Sequence, residues 1–139
     1  MERAIDGRCL CGSVRIRVEA EPMAVRTCWC RLCQYLGAGN ATVNLCFPGD
    51  AVHVEGEVRW FESKADSGND LRRGFCPTCG TPLFSVAIQR PHLTFIRAGA
   101  LDDRSIAAPQ ATIWVKEAPE WACINPAIPA HDGQLPPVV

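Results

Sequence analysis

Cys28, Cys30 and Cys33 place three thiols within six positions. Residues i and i+2 of an extended chain project to one side, and i and i+3 share a helical face. A strand running into a helical turn therefore aims all three sulfurs at one point. Three thiolates form a metal-chelating set one donor short of the four protein ligands of a structural zinc, and three ligands with one exchangeable position is how a catalytic zinc is held. Cys46, Cys123, His53, His92 and His131 are the residues that could supply a fourth donor. Cys46 and Cys123 are expected to pack as ordinary buried thiols, and the three histidines, isolated in sequence, to be surface or packing residues.

A second set is split along the chain, with Cys9 and Cys11 in "RCLCG" and Cys76 and Cys79 in "FCPTCGTPL". Tetrahedral zinc with Zn–S bonds of ~2.3 Å needs sulfurs only about 3.8 Å apart, which an extended C-x-C pair approaches with a modest twist. In the C-x-x-C-G knuckle, Pro77 presets φ and Gly80 supplies the positive φ that turns backbone N–H groups toward the sulfurs. Joined, the four cysteines predict a structural zinc that ties the start of the chain to its middle. Such binding contributes folding free energy on the order of 10 kcal/mol, because the unfolded chain has no preformed site.

The elements that must carry these residues are mostly strands. In "SVRIRVEA", Val14, Ile16 and Val18 share one face and Arg15 and Arg17 the other, the alternation of a half-buried strand. Short runs of the same kind recur at "MAVRTC", "ATVNLCF", "AVHVEG", "EVRWFES", "TPLFSVAI", "HLTFIRAG" and "ATIWVKE", each bounded by turn formers. A single short helical turn is expected over Arg31 to Leu36, stopped by Gly37. "KADSGNDLRR" reads as a polar loop. The Pro-rich segment from about residue 124 forms no regular element, and whether it docks is left open. Residues 1–139 read as a single, mostly antiparallel β domain.

Composition narrows the function classes. Nine cysteines in 139 residues point to metal rather than disulfides in a reducing compartment. The start of the chain lacks the apolar core of a secretory signal, and no run of ~18 apolar residues suggests a membrane span, so a cytoplasmic protein is expected. The 14 basic and 15 acidic residues are dispersed, which leaves no cationic stripe for nucleic acid.

The succession "GRCLCGSV", "CWCRLCQ", "FESKADSGNDLRRGFCPTCGTPL", "IRAGALDD" and "IWVKEAPEW" resembles the glutathione-dependent formaldehyde-activating enzyme family, which includes centromere protein V-like proteins. Many relatives carry His where this chain has Trp29. The resemblance implies an Mss4-like fold of small antiparallel sheets around a structural zinc on Cys9, Cys11, Cys76 and Cys79, and a second, catalytic zinc on Cys28, Cys30 and Cys33. It implies a carbon–sulfur lyase activity of the S-(hydroxymethyl)glutathione synthase type, with glutathione as co-substrate and a small carbonyl compound as the other reactant. Three thiolates donate heavily to the metal, so bound water is poorly acidified and a soft thiol is the better fourth ligand. Glutathione is anionic, which makes Arg31, Arg72 and Arg73 the candidate carboxylate contacts. Two rival readings fit the same residues: a non-catalytic zinc-stabilised binding module, and a thiol redox or metal-sensing protein using the second cluster.

Overall fold

Strand β1 (Ile5–Arg8) runs antiparallel to β2 (Arg15–Val18), and β2 to β5 (Val52–Glu55), making a three-stranded sheet in the computed structural model, which describes residues 4–138. The alternation in β2 acts as expected: Ile16 and Val18 are buried while Arg15 and Arg17 face water. β1 carries too few apolar side chains to announce itself in the sequence. Pairing with β2, not its own pattern, makes it a strand.

A seven-stranded sheet holds the remaining strands in the order β10-β3-β4-β9-β8-β7-β6, where β3 is Ala24–Cys28, β4 Thr42–Pro48, β6 Arg59–Lys64, β7 Asp70–Phe75, β8 Pro82–Ala87, β9 Leu93–Arg97 and β10 Ala111–Ile113. All its pairs are antiparallel except β10 with β3, so the fold is mostly β with mixed pairing rather than purely antiparallel. Helix α1 (Arg31–Leu36) follows β3 directly, and Gly37 caps it through its N–H to the Cys33 carbonyl. The polar stretch before the knuckle is only partly a loop. From Asp70 onward it is β7, because the strong hairpin partners Arg59–Lys64 and Pro82–Ala87 on either side supply hydrogen bonds that its composition does not advertise.

The large sheet has two different faces, separated by the two-residue period of the strands. One face sends Val25, Leu45, Phe47, Phe84 and Ile96 against Val14, Ile16 and Val18 of the small sheet, and this is the main core. Gly74 keeps that face open where Trp60 lies across the sheet to stack on Phe84 at 5.9 Å; a Cβ at Gly74 would come within 2.9 Å of the indole. The opposite face carries Cys28, Arg26, Asn44, Arg97, Ser85 and Arg73. It mixes these polar groups with Cys46, Leu71, Ala87, Leu93 and Phe95, and it is also covered.

The cover comes from the C-terminal segment. Backbone hydrogen bonds join Thr112 N–H to the Pro129 carbonyl (2.9 Å), His131 N–H to the Thr112 carbonyl (2.8 Å) and Val115 N–H to the His131 carbonyl (3.1 Å), so the segment docks beside β10 without becoming a regular element. Trp114 takes a left-handed conformation, φ 60°, which is costly for a bulky residue and turns the chain sharply out of β10. Its indole Nε1–H donates to Gln134 Oε1 at 2.9 Å, tying the turn to the tail.

Candidate metal centres

Four cysteines meet where the β1–β2 turn touches the β7–β8 turn. The Cys9 and Cys11 sulfurs are 3.6 Å apart and those of Cys11 and Cys76 3.8 Å, close to the spacing around tetrahedral zinc. The N–H groups of Thr78 and Cys79 both point at Cys76 Sγ (3.4 Å each), and Val14 N–H points at Cys9 Sγ (3.3 Å). Gly80, at φ 79°, closes the knuckle through its N–H to the Cys76 carbonyl (2.8 Å). Leu10 N–H reaches Thr81 Oγ1 at 3.0 Å and locks the two turns together. The Thr81 hydroxyl and N–H pull the Cys79 thiol down to about 5. At Cys9 burial is outweighed by the Val14 N–H and the neighbouring hydroxyl and thiols, which leave it at about 7. Thiolate is thus favoured at Cys79 and readily reached at Cys9, and the four-sulfur set fits a soft divalent cation.

The second group is local. Cys28 ends β3, Cys30 caps the N-terminus of α1 with its sulfur accepting from Cys33 N–H (3.3 Å), and Cys33 lies in the first helical turn. All three are buried, and their sulfurs lie within 4.8 Å of one another. Among the described residues no fourth histidine, cysteine or acidic group joins them. Cys46 is buried elsewhere beside Ala24 and Leu93, Cys123 is exposed rather than packed, and His53 pairs with Glu19 on the surface (3.6 Å). Cysteine usually packs inside, but the place of Cys123 in the irregular segment after Trp121 leaves it outside.

Gln34 fixes the loop between the cysteines. Its buried amide donates to the Trp29 carbonyl (2.8 Å) and the Glu117 carbonyl (2.9 Å), and Arg31 Nη1 donates to its Oε1 (2.8 Å). Trp29 N–H bonds the Ile113 carbonyl (3.0 Å), and its ring packs in an apolar cluster with Trp114 behind the sulfurs. Trp29 is therefore a plug, outside the cavity wall.

Electrostatics at this cluster are those of three sulfurs sharing one negative charge. Hydrogen bonds to Cys30 and Cys33, then burial, hold the Cys28 thiol far above its ordinary range. Cys30 is lowered by Cys28 but raised more by Cys33 and by burial, to about 11. Cys33 is pulled down by hydrogen bonds from Cys28 and Cys30, against burial, with Thr42 and the Arg97 charge assisting. A second thiolate forms here only with a cation to offset it. The donor set is all sulfur, which fits zinc among the common divalent ions.

The three sulfurs open into a cavity of about 350 Å³. Its wall is this face of the large sheet, where Arg26, Asn44, Arg73 and Arg97 stand among apolar residues such as Leu71, Leu93 and Phe95, closed by the loop at Asp66–Asn69 and by the tail at Gln134, Leu135, Pro137 and Val138. Of the three arginines singled out in the sequence, Arg73 lines this cavity. Arg72, its neighbour on β7, points to the other face and lies over the Trp60 ring at 4.4 Å. Arg31 is exposed, over the Tyr35 ring at 5.0 Å. Sequence reasoning missed Arg26 and Arg97. Strand parity was the available signal, since Arg97 shares the face of Leu93 and Phe95 in a run otherwise suited to burial.

A sequence model of the family described as glutathione-dependent formaldehyde-activating enzyme matches residues 4–117. The chain belongs to this family. A curated protein of Halomonas elongata, named "Putative glutathione-dependent formaldehyde-activating enzyme", is 27% identical over 127 residues, covering 87% of this chain and 81% of its own. A crystal structure of a Rhodobacter sphaeroides protein superposes with a TM-score of 0.57 at 18% identity, covering 90% of this chain and 98% of that one, a likeness of fold. Both cysteine groups lie inside the span shared with the family. The tail residues on the cavity wall lie beyond it.

Proposed function

We propose that this protein is a zinc-dependent carbon–sulfur lyase-like enzyme that adds a thiol, glutathione or a relative, to formaldehyde or a related small carbonyl compound. One observation carries the reading: a three-sulfur group that no fourth donor joins among the described residues forms the end of a cavity large enough for a small peptide. Family membership supports the choice of reactants. We further assign Cys9, Cys11, Cys76 and Cys79 to a structural zinc in a single Mss4-like domain, and Cys28, Cys30 and Cys33 to a catalytic one.

Cys28, Cys30 and Cys33 would hold the zinc, whose Lewis acidity would lower the pKa of an incoming thiol so that its proton passes to solvent. In the reaction the thiolate sulfur attacks the carbonyl carbon, a C–S bond forms, the C=O π pair moves to oxygen, and that oxygen takes a proton from solvent. The product is the S-hydroxymethyl thioether, and no redox partner is needed. Gln34 and the Cys30 cap hold the donors in place, which makes the geometry available before substrate arrives. The tail and the Asp66–Asn69 loop restrict water to the mouth. Arg73 on the cavity wall supports a contact with a substrate carboxylate; Arg31 and Arg72 are further from that role.

Zinc content and adduct formation test the proposal. The wild type should hold two zinc ions per chain and Cys30→Ala one, and formation of S-hydroxymethylglutathione followed by NMR should exceed the protein-free rate only in the wild type. A wild-type rate equal to the protein-free rate would remove the lyase reading and leave a zinc-stabilised binding module.

A further inference from the structure

Arg97 is only 9% exposed, and among the described residues no carboxylate pairs with it. Its Nη1 donates to Asn44 Oδ1, a neutral acceptor, and its Nε is buried without any hydrogen-bond partner. A buried guanidinium lacking a full set of acceptors is expensive, and a protein keeps one where a counter-charge arrives.

Its surroundings deepen the imbalance. Asn44 is registered with Arg26 on one side and Arg97 on the other, so these two arginines lie two strands, about 10 Å, apart on the same face. Arg73 stands further across that face, on β7, where it bonds Ser63 Oγ, and its charge opposes that of Arg97. Arg90 completes the cationic lining. Against these four stands one acidic side chain on the wall, Asp66, and its Oδ2 is already engaged by Arg31 N–H (3.1 Å) at the exposed mouth. The cysteine sulfurs offset part of the Arg97 charge but leave its Nε without an acceptor.

We propose that Arg97, with Arg26 two strands away on the same face, is the carboxylate-reading site of the cavity, and that it selects a low-molecular-weight thiol bearing more than one carboxylate over neutral thiols. This rests on the thiol-addition reading above and names the group that determines its substrate class. The substrate carboxylate accepts from the Arg97 guanidinium in a charge-assisted hydrogen bond, while Arg73 and Arg90 favour a second carboxylate nearer the mouth. The sulfur then points along the sheet toward Cys28. Arg97 is thus a specificity residue.

S-Methylglutathione separates this site from the sulfur chemistry, because it keeps both carboxylates and cannot become a thiolate. Calorimetry on the zinc-loaded protein should show S-methylglutathione binding at least about tenfold tighter than its dimethyl ester. Arg97→Gln should remove most of the preference for the acid, leaving the smaller part that Arg73 and Arg90 supply, and Arg97→Lys should retain more of it. Should the Gln variant fold poorly, the wild-type acid-to-ester ratio and its decrease in Arg97→Lys carry the test. Equal affinity for acid and ester in the wild type, or a ratio unchanged by both substitutions, overturns the proposal. Glutathione binding no tighter than S-methylglutathione would instead sink the sulfur step, with the anion site left standing.

Discussion

Gln34→Met removes two hydrogen-bond donors from the loop that aims the three cysteines while nearly preserving side-chain volume. Gln34 is 7% exposed, and its amide serves the Trp29 and Glu117 carbonyls at 2.8 and 2.9 Å. Each carbonyl left buried without a donor costs roughly 1–3 kcal/mol, so the substitution should destabilise by about 2–5 kcal/mol. With a urea m-value of about 2 kcal/mol/M, the unfolding midpoint should fall by about 1–2.5 M, within reach of circular dichroism. Because Trp29 sits between Cys28 and Cys30, the same change should weaken metal at the three-cysteine group more than at the four-cysteine group, as read by chelator competition. Gln34→Glu should be worse than Met at neutral pH, since a carboxylate then faces two carbonyl oxygens, and should recover partly in acid as the protonated form regains one donor. A Met variant within 0.5 kcal/mol of wild type, with both metals equally held, would refute the view that this amide organises the site.

Ending the chain after Gly133 should leave the backbone pairing beside β10 intact but strip the cavity of Gln134, Leu135, Pro137 and Val138; loss of the Trp114 Nε1 acceptor costs about 1 kcal/mol, and S-methylglutathione should bind several-fold more weakly by calorimetry, whereas unchanged affinity would deny the tail a place in the site. Leu45, fully buried in the main core, should cost about 2–5 kcal/mol as Leu45→Ala in a denaturant titration. Burial pushes the Cys46 thiol up to about 11 from 9.0, against the weaker pull of Arg26 and Arg90. Its folded pKa lies above the unfolded one, so this contribution is present below pH 9 and lost as pH rises toward 11; the melting temperature of Cys46→Val should therefore fall less steeply than that of wild type across that window.

Much of the scaffold was written in local patterns. The alternation of β2, the C-x-C and C-x-x-C-G spacings and the Cys30–Cys33 step each depend on neighbours in sequence, and the cysteine groupings follow from them. Elements made by their partners were hidden. β1 and the first half of β7 have polar compositions and become strands because hairpin neighbours accept their hydrogen bonds. Trp114 ends β10 early through a left-handed turn that no apolar pattern announces. The arginines divide on the same principle. Arg72 and Arg73 are indistinguishable as adjacent letters, and only the strand parity of β7 sends one to Trp60 and the other to the cavity. Arg97 ends a β-type run, and nothing local in the sequence shows that the tail, more than thirty residues away, closes over its face.

The division of labour between the two sheet faces explains why the cysteine groups can differ in character. The four-cysteine group joins two turns at the edge where the small sheet meets the large one, so a bond lost there loosens the apolar core that Val14, Ile16 and Leu45 share. The three-cysteine group sits on the other face, held by β3, α1 and the Gln34 amide, and its loss leaves that core intact. On the two-zinc reading proposed above, removing metal from the first group should carry the larger folding penalty, and a metal in the second would be free to be tuned for chemistry. The same separation lets the cavity tolerate four arginines: their mutual repulsion is borne by a sheet already secured from behind, and an acidic ligand that relieves it gains affinity from strain the fold does not need to resolve by itself.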